Sequence, residues 1–301
     1  MIHLPRISRA HAALFLMVVI WGINFSVAKA ALTELSPLAF NALRFPLAAL
    51  VVYVLLRSRG PIDWPAPQDR WRVIGLGILG NAFYQQFFIF GLDRTRAGTA
   101  SVLLAGTPIV TALLSAMLGH ERVTPRAWVG VFATCAGIAL VVFAGGGGEQ
   151  QGGSLLGEAL MIAATCSWAL YTVGSRDLIG RYGSVRFTAW TLWVGAVILC
   201  ITGLPALLTT DIASVSGRAW TGVVYSGALS IGVAYLIWYY GVRLIGNTRT
   251  ATYSNLVPVI ALLAAWAHLG EVPLPGQVLG AAIIIGGITI AQARPSRPRA
   301  T

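Results

Sequence analysis

Long apolar runs alternate with short polar breaks along this chain from end to end. About 20 apolar residues of helix cross a bilayer's hydrocarbon core. On that measure the pattern predicts spanning helices over roughly 11–32, 36–56, 70–91, 97–118, 124–144, 155–178, 184–208, 217–242, 248–269 and 275–293. The first run follows a basic start and resembles a signal peptide. It continues to Leu32 with no small-residue cleavage site, so it predicts an uncleaved helix. The longest polar gap within a half runs from Arg57 to Arg70 and holds Pro61, Pro65 and Pro67. GGGGEQQGG, from Gly145 to Gly153, has the composition of a flexible linker.

The pattern repeats. GLDRTRAGTASVLLAGTPIVTALLSAMLGHERVTP, from Gly91, returns as GVRLIGNTRTATYSNLVPVIALLAAWAHLGEVPLP, from Gly241. Gly91/Gly241, Pro108/Pro258, Glu121/Glu271 and Pro125/Pro275 each lie 150 positions apart, as do Gly77/Gly227, Gly130/Gly280 and Gly137/Gly287. Upstream, Trp21/Trp168 and Phe40/Phe187 lie 147 apart. A proline, a glutamate and a second proline in one register mark two copies of one unit. The expected division is 1–145, a linker at 146–154, and 155–301. Each copy has five expected spans, an odd number, so the second sits inverted in the membrane. Inverted repeats let a carrier exchange two shapes around a site near the midplane.

Composition agrees with a membrane protein. The chain is 56% hydrophobic and 10% charged, against about 25% charged in a typical soluble domain, and its mean hydropathy is +0.75. The net charge of +11 is scattered between apolar runs rather than gathered on one face, which argues against nucleic acid. With the N-terminus cytoplasmic, sixteen of the 21 Lys and Arg fall in cytoplasmic segments; Lys29, Arg94, Arg96 and Arg218 lie toward the outer side and Arg44 lies inside a span. That bias places both termini in the cytoplasm. Cys135, Cys166 and Cys200 lie within apolar runs at no metal-binding or disulfide spacing and read as small core residues. No phosphate-gripping loop and no Ser/His/Asp set is present, so the chain reads as no enzyme, with no cofactor and no metal.

The paired repeats, the first span with IWGINFSVAKAAL, and the fourth-span pattern GTPIVTALLSAMLGHERVTP resemble the EamA-type branch of the drug/metabolite transporter superfamily. The resemblance covers nearly the whole chain. It implies an all-α integral membrane fold, ten transmembrane helices as two inverted five-helix repeats around a central cavity, with the fifth and tenth together at the repeat interface. It also implies a monomeric secondary transporter of the bacterial inner membrane, and within the family it points to a bacterial amino-acid exporter of the YddG type. Hydrophobic multidrug efflux is the alternative; a membrane enzyme or channel-like pore is the reading from another class.

Polar and aromatic residues within spans are the candidate binding site, because a lipid-facing amide is costly. The first span carries Trp21 and Asn24 on one face; the sixth carries Trp168 and Tyr171 on the matching face. The third carries Asn81, Tyr84, Gln85 and Phe88, and the eighth Tyr235, Trp238 and Tyr239. The ninth adds Tyr253 and Asn255. Helix packing and interfacial aromatic belts are the competing reading for these positions. Arg44, one turn after Asn41, is the only basic residue well inside a span; it reads either as a partner for a substrate carboxylate or as a structural anchor. Pro108 and Pro258 read as kinks or hinges. The ten acidic residues sit at loops or span ends, with Glu158 alone near the start of a span, so no proton carrier is evident. Glu121 and Glu271 are expected in cap or loop hydrogen bonds. Paired glycines in the fifth and tenth spans, with no mid-span polar group suited to solute, predict a fixed seam. A cavity of amides, phenols, indoles and one charge suits small zwitterionic or aromatic solutes better than phosphorylated ones.

Overall fold

The computed structural model describes residues 6–58, 60–117, 125–144, 154–245 and 253–292, and among them there is no β-strand. We number the helices α1 (Arg6–Ala31), α2 (Pro37–Arg57), α3 (70–94), α4 (97–117), α5 (Pro125–Ala144), α6 (Leu155–Gly174), α7 (Ser184–Thr209), α8 (217–245), α9 (Val257–Leu269) and α10 (Pro275–Gln292). Six of them, α1, α2, α3, α6, α7 and α8, are long and apolar enough to cross a membrane; shorter apolar helices lie in α4, α5, α9 and α10. The 146–154 linker lies almost wholly outside the described residues, as do Glu121 and 246–252.

Serine sets three of the helix starts. Ser36, Ser154 and Ser216 each stand in extended backbone before α2, α6 and α8 and accept a hydrogen bond from the N–H three residues on, at 3.3, 3.1 and 3.2 Å. That satisfies one of the donors every helix start leaves open. α9 closes on Gly270, whose φ of 68° is cheap only for glycine.

Two helices are wound wide at matching places. α3 passes through a π-helical segment, Ile78–Phe83, and α8 through another, Tyr225–Val233. Each π turn displaces the regular ladder and frees carbonyls for other partners. Two helices are also interrupted at matching places. α4 stops at Leu104 and resumes at Thr107; in the ninth segment the chain turns at 255–256 before α9 begins at Val257. The breaks therefore fall just ahead of Pro108 and Pro258, and each proline begins a helix rather than kinking one. A proline lacks an N–H and its ring obstructs the carbonyl four residues back, so the first turn of a helix tolerates it best.

The sixth helix also differs from expectation. It ends at Gly174, and a separate short helix, Arg176–Tyr182, follows in place of an extension to 178. Cys135 is exposed, not part of the core; in a helix meant for lipid, an apolar run has outward as well as inward faces.

α5 packs along α10 and α2 along α7; α1 lies against α8 and α9, and α6 against α3 and α4. The α5–α10 contact is closest at glycine. A Cβ on Gly137 would meet the Gly280 carbonyl oxygen at 2.9 Å, one on Gly280 the Gly137 oxygen at 2.8 Å, and one on Gly287 the Gly130 oxygen at 2.8 Å. Thr134, a polar side chain within α5, is buried in this seam against Gly287.

Candidate functional site

An aromatic cluster joins helices from both halves of the chain. The Trp21 ring stands 5.8 Å from Trp238 and 6.1 Å, edge-on, from Tyr235. Tyr235 is 6.2 Å from Trp168, and Trp168 is 4.9 Å from Tyr84 and 5.3 Å from Tyr171. Tyr84 stacks on Phe88 at 6.1 Å. α1, α3, α6 and α8 thus each contribute rings, at separations where aromatic pairs attract. Trp21, Tyr84, Trp168, Tyr235 and Trp238 are only partly buried, whereas Phe88 and Tyr171 are buried.

The wide turns of α3 and α8 serve this cluster. Trp21 donates its indole N–H to the Ser230 carbonyl in the α8 π segment, at 2.9 Å. The Asn24 side-chain oxygen accepts from the Ser226 hydroxyl in the same segment, at 2.7 Å. A Cβ on Gly80, in the α3 segment, would lie 2.2 Å from the Tyr171 ring, so that ring rests directly on the backbone. The Tyr171 hydroxyl pairs with Thr191 at 3.0 Å.

Beneath the rings lies a buried cation. Arg44 is 1% exposed. Its Nε–H donates to the Asn41 side-chain oxygen at 3.0 Å and its Nη2–H to the Gln85 side-chain oxygen at 2.8 Å. Asn41 in turn donates to the Gln85 backbone oxygen and to Gln86, both at 3.3 Å, and Gln86 donates to Thr202 of α7 at 3.1 Å. The guanidinium carbon sits 4.8 Å from the Phe40 ring centre and 5.8 Å from that of Phe88. The phenols of Tyr84 and Tyr235 lie nearby. Among the described residues no carboxylate forms an ion pair with it. Amides fix the fork and aromatic faces surround it, an arrangement able to hold a carboxylate and attract it electrostatically.

The remaining expected residues fall elsewhere. Asn81 is buried in the α3 π segment against Gly195 of α7, with its amide nitrogen unpartnered. Tyr253 pairs with His11 near the start of α1. Asn255 is buried at the break before α9. The side chains of Tyr239 and Pro108 lie outside what the structure describes. Ser226 and Thr191 were missed by sequence reasoning. The signal for both was present, a hydroxyl one residue before matched Gly227 and the repeat partner of Arg44, but a lone hydroxyl in an apolar run usually bonds its own helix.

Polar ties close one end of the bundle. Lys29 donates to the carbonyls of Leu92 and Asp93 at 2.8 and 2.7 Å. Glu271 accepts from the Ala97 and Gly98 N–H groups at the start of α4, at 3.2 and 3.4 Å, and Arg96 donates to the Val272 carbonyl at 2.7 Å. Glu271 therefore caps a helix, as expected of it. Among the described residues no group of His, Cys, Asp and Glu could hold a metal ion.

Residues 8–143 and again 155–292 match the EamA-like transporter family. The chain belongs to that family. This EamA-family transporter is 29% identical to an uncharacterized transporter of Archaeoglobus fulgidus over 92% of its own length and 96% of that protein's. It is 27% identical to a protein of Streptantibioticus cattleyicolor named "Probable terminal-alkyne amino-acid exporter", over 96% of its own length and 95% of the relative's. A solved crystal structure, 22% identical and covering 94% of this chain and 96% of its own, superposes with a TM-score of 0.66 and shares the fold. With its apolar spans, the EamA-family transporter is a multi-pass membrane protein.

Proposed function

We propose that this EamA-family transporter is an alternating-access carrier that exports small zwitterionic or aromatic amino acids, or related metabolites, across a bacterial inner membrane. Ten helices form two inverted units, 1–145 and 155–301, joined by the 146–154 linker, with both termini cytoplasmic. Support for the inversion comes from contacts that exchange under the repeat. A Cβ on Gly77 would meet the Thr191 carbonyl oxygen at 3.0 Å, and one on its partner Gly227 would meet the oxygen of Arg44, the position equivalent to Thr191, at 2.4 Å. α1 against α8 and α9 likewise mirrors α6 against α3 and α4.

The observation that carries the substrate reading is Arg44, a buried cation without an acidic partner among the described residues, set beside a partly open ring cluster. A charge inside a membrane is expensive and points to function. In the proposed site, Arg44 attracts the substrate carboxylate while the Tyr84, Trp168 and Tyr235 faces take its ammonium and side chain. The relative named as an amino-acid exporter is consistent with this.

Thermal stabilisation of the purified protein tests it, because a ligand of the folded state raises apparent stability. Aromatic and small neutral amino acids are expected to raise the melting temperature in a concentration-dependent way. Stabilisation by hydrophobic cationic dyes alone would replace this reading with multidrug efflux.

A further inference from the structure

A groove lies on the outer surface of the bundle, away from the aromatic cluster. α2, α7 and the loop between α2 and α3 enclose this open groove of about 580 Å³. It is lined by Ala49, Leu50, Tyr53, Ile62, Trp64 and Trp193, with Arg57 the one charged residue of the lining. Trp193 stands 5.9 Å from Trp64 and 6.3 Å from Tyr53, and its indole N–H is already satisfied by the Ala49 carbonyl at 3.3 Å.

The loop that carries Trp64 is held in place. Asp69 accepts from Arg181 at 2.8 Å and from the Tyr182 hydroxyl at 2.7 Å; Ala66 donates its N–H to the same hydroxyl at 3.1 Å; Asp63 pairs with Arg186 at 3.1 Å. Yet Trp64 is 67% exposed. A fixed loop that presents a bare indole costs free energy in water unless something covers it. Val54 on α2, with Val197 and Ile201 on α7, add exposed apolar surface to these helices, the kind of face a spanning helix turns to lipid. Tyrosine and tryptophan at the end of such a face mark headgroup depth. Arg57 sits at that depth, and among the described residues no carboxylate pairs with it.

We infer that this groove is a binding site for one anionic phospholipid, its phosphate on Arg57, its headgroup beneath Trp64 and an acyl chain along Ala49 and Leu50. The charge decides the class: a cation with no carboxylate partner among the described residues, at headgroup depth, favours a net-negative lipid over a zwitterionic one.

Native mass spectrometry of the full-length protein in detergent tests this, with phosphatidylglycerol and phosphatidylcholine of identical chains as probes. The first bound lipid should be phosphatidylglycerol by about fivefold, the worth of one basic residue near the membrane surface. Arg57→Gln should abolish the preference, Arg57→Lys should keep it, and Trp64→Ala should weaken binding of both lipids. Arg218→Gln, at the opposite end of the bundle, serves as the charge control and should leave the preference intact. Glycerophosphoglycerol, the headgroup without chains, should not displace the lipid. The inference is overturned if wild type binds both lipids equally, if Arg57→Gln and Arg218→Gln lower the preference alike, or if the free headgroup competes.

Discussion

Arg44 shows how one residue concentrates the chemistry of the site. Its two hydrogen bonds to Asn41 and Gln85 orient the guanidinium, and the rings of Phe40 and Phe88 exclude water from it. A charge-assisted hydrogen bond contributes about 1.5–3 kcal/mol. Arg44→Gln is therefore expected to weaken amino-acid binding about tenfold or more, as measured by isothermal titration against the purified variant. Unchanged affinity in a folded variant would leave Arg44 a structural anchor only. At this scale much was legible. Amides and phenols within apolar runs declare themselves, since lipid cannot satisfy them, and Trp21, Tyr84, Phe88, Trp168, Tyr171, Tyr235 and Trp238 do converge. What sequence could not separate was a ring that lines the cluster from one that packs behind it, such as Tyr171 against Phe187 at 6.0 Å. Burial decides that, and in a membrane protein apolar residues face both ways.

At the scale of elements, close approach and wide turns matter most. A Cβ on Gly280 would lie 2.5 Å from a Val141 methyl and 2.8 Å from the Gly137 backbone oxygen, whereas nothing lies within 4 Å of one on Gly286, on the same helix. Gly280→Ala should therefore destabilise the protein by about 1–3 kcal/mol through overpacking, while Gly286→Ala should stabilise it by up to about 1 kcal/mol through helix propensity. Paired melting curves check both; equal shifts would mean the seam is not tight. The glycine register made this seam legible. The π segments were not, because a wide turn depends on which neighbours take the freed carbonyls, as Trp21 does at Ser230. The breaks fell ahead of the prolines, where a helix start tolerates the missing N–H, whereas α2 and α7 each continue through a proline, Pro46 and Pro205.

The loop between α1 and α2 gives a pH prediction. Glu34 accepts from the Ser216 hydroxyl at 2.7 Å and from its N–H at 2.8 Å, and these bonds, with Arg218 nearby, hold its carboxyl below the usual range. A depressed folded-state pKa adds stability that is complete above the unfolded value of about 4.3 and is lost as pH falls through the folded value. Wild type should thus lose stability more steeply than Glu34→Gln as pH drops below about 4.3. Melting curves across that interval test it, and parallel curves would remove Glu34 from the acid response.

For the whole molecule, contacts that exchange in pairs support the proposed inverted halves, and the α5–α10 glycines make one of several seams among the described residues where backbones nearly touch. If α5 and α10 are the fixed part, cross-links between them should leave transport intact. A link between cysteines at Arg96 and Val272, which joins the start of α4 to the loop after α9, should stop it, in a background lacking Cys135, Cys166 and Cys200. The opposite result would exchange the fixed and moving parts.

The proposed inverted halves predict that this chain carries solute by alternation rather than passing it through a pore. Counterflow in proteoliposomes measures that directly. Vesicles loaded with unlabelled amino acid should transiently concentrate labelled amino acid from outside, with an initial rate that saturates, and Arg44→Gln should reduce it. A carrier must return loaded or empty, so it exchanges one solute for another; a pore cannot couple the two flows. Uptake that rises in proportion to concentration without saturating, and that is indifferent to amino acid inside the vesicle, would contradict the account.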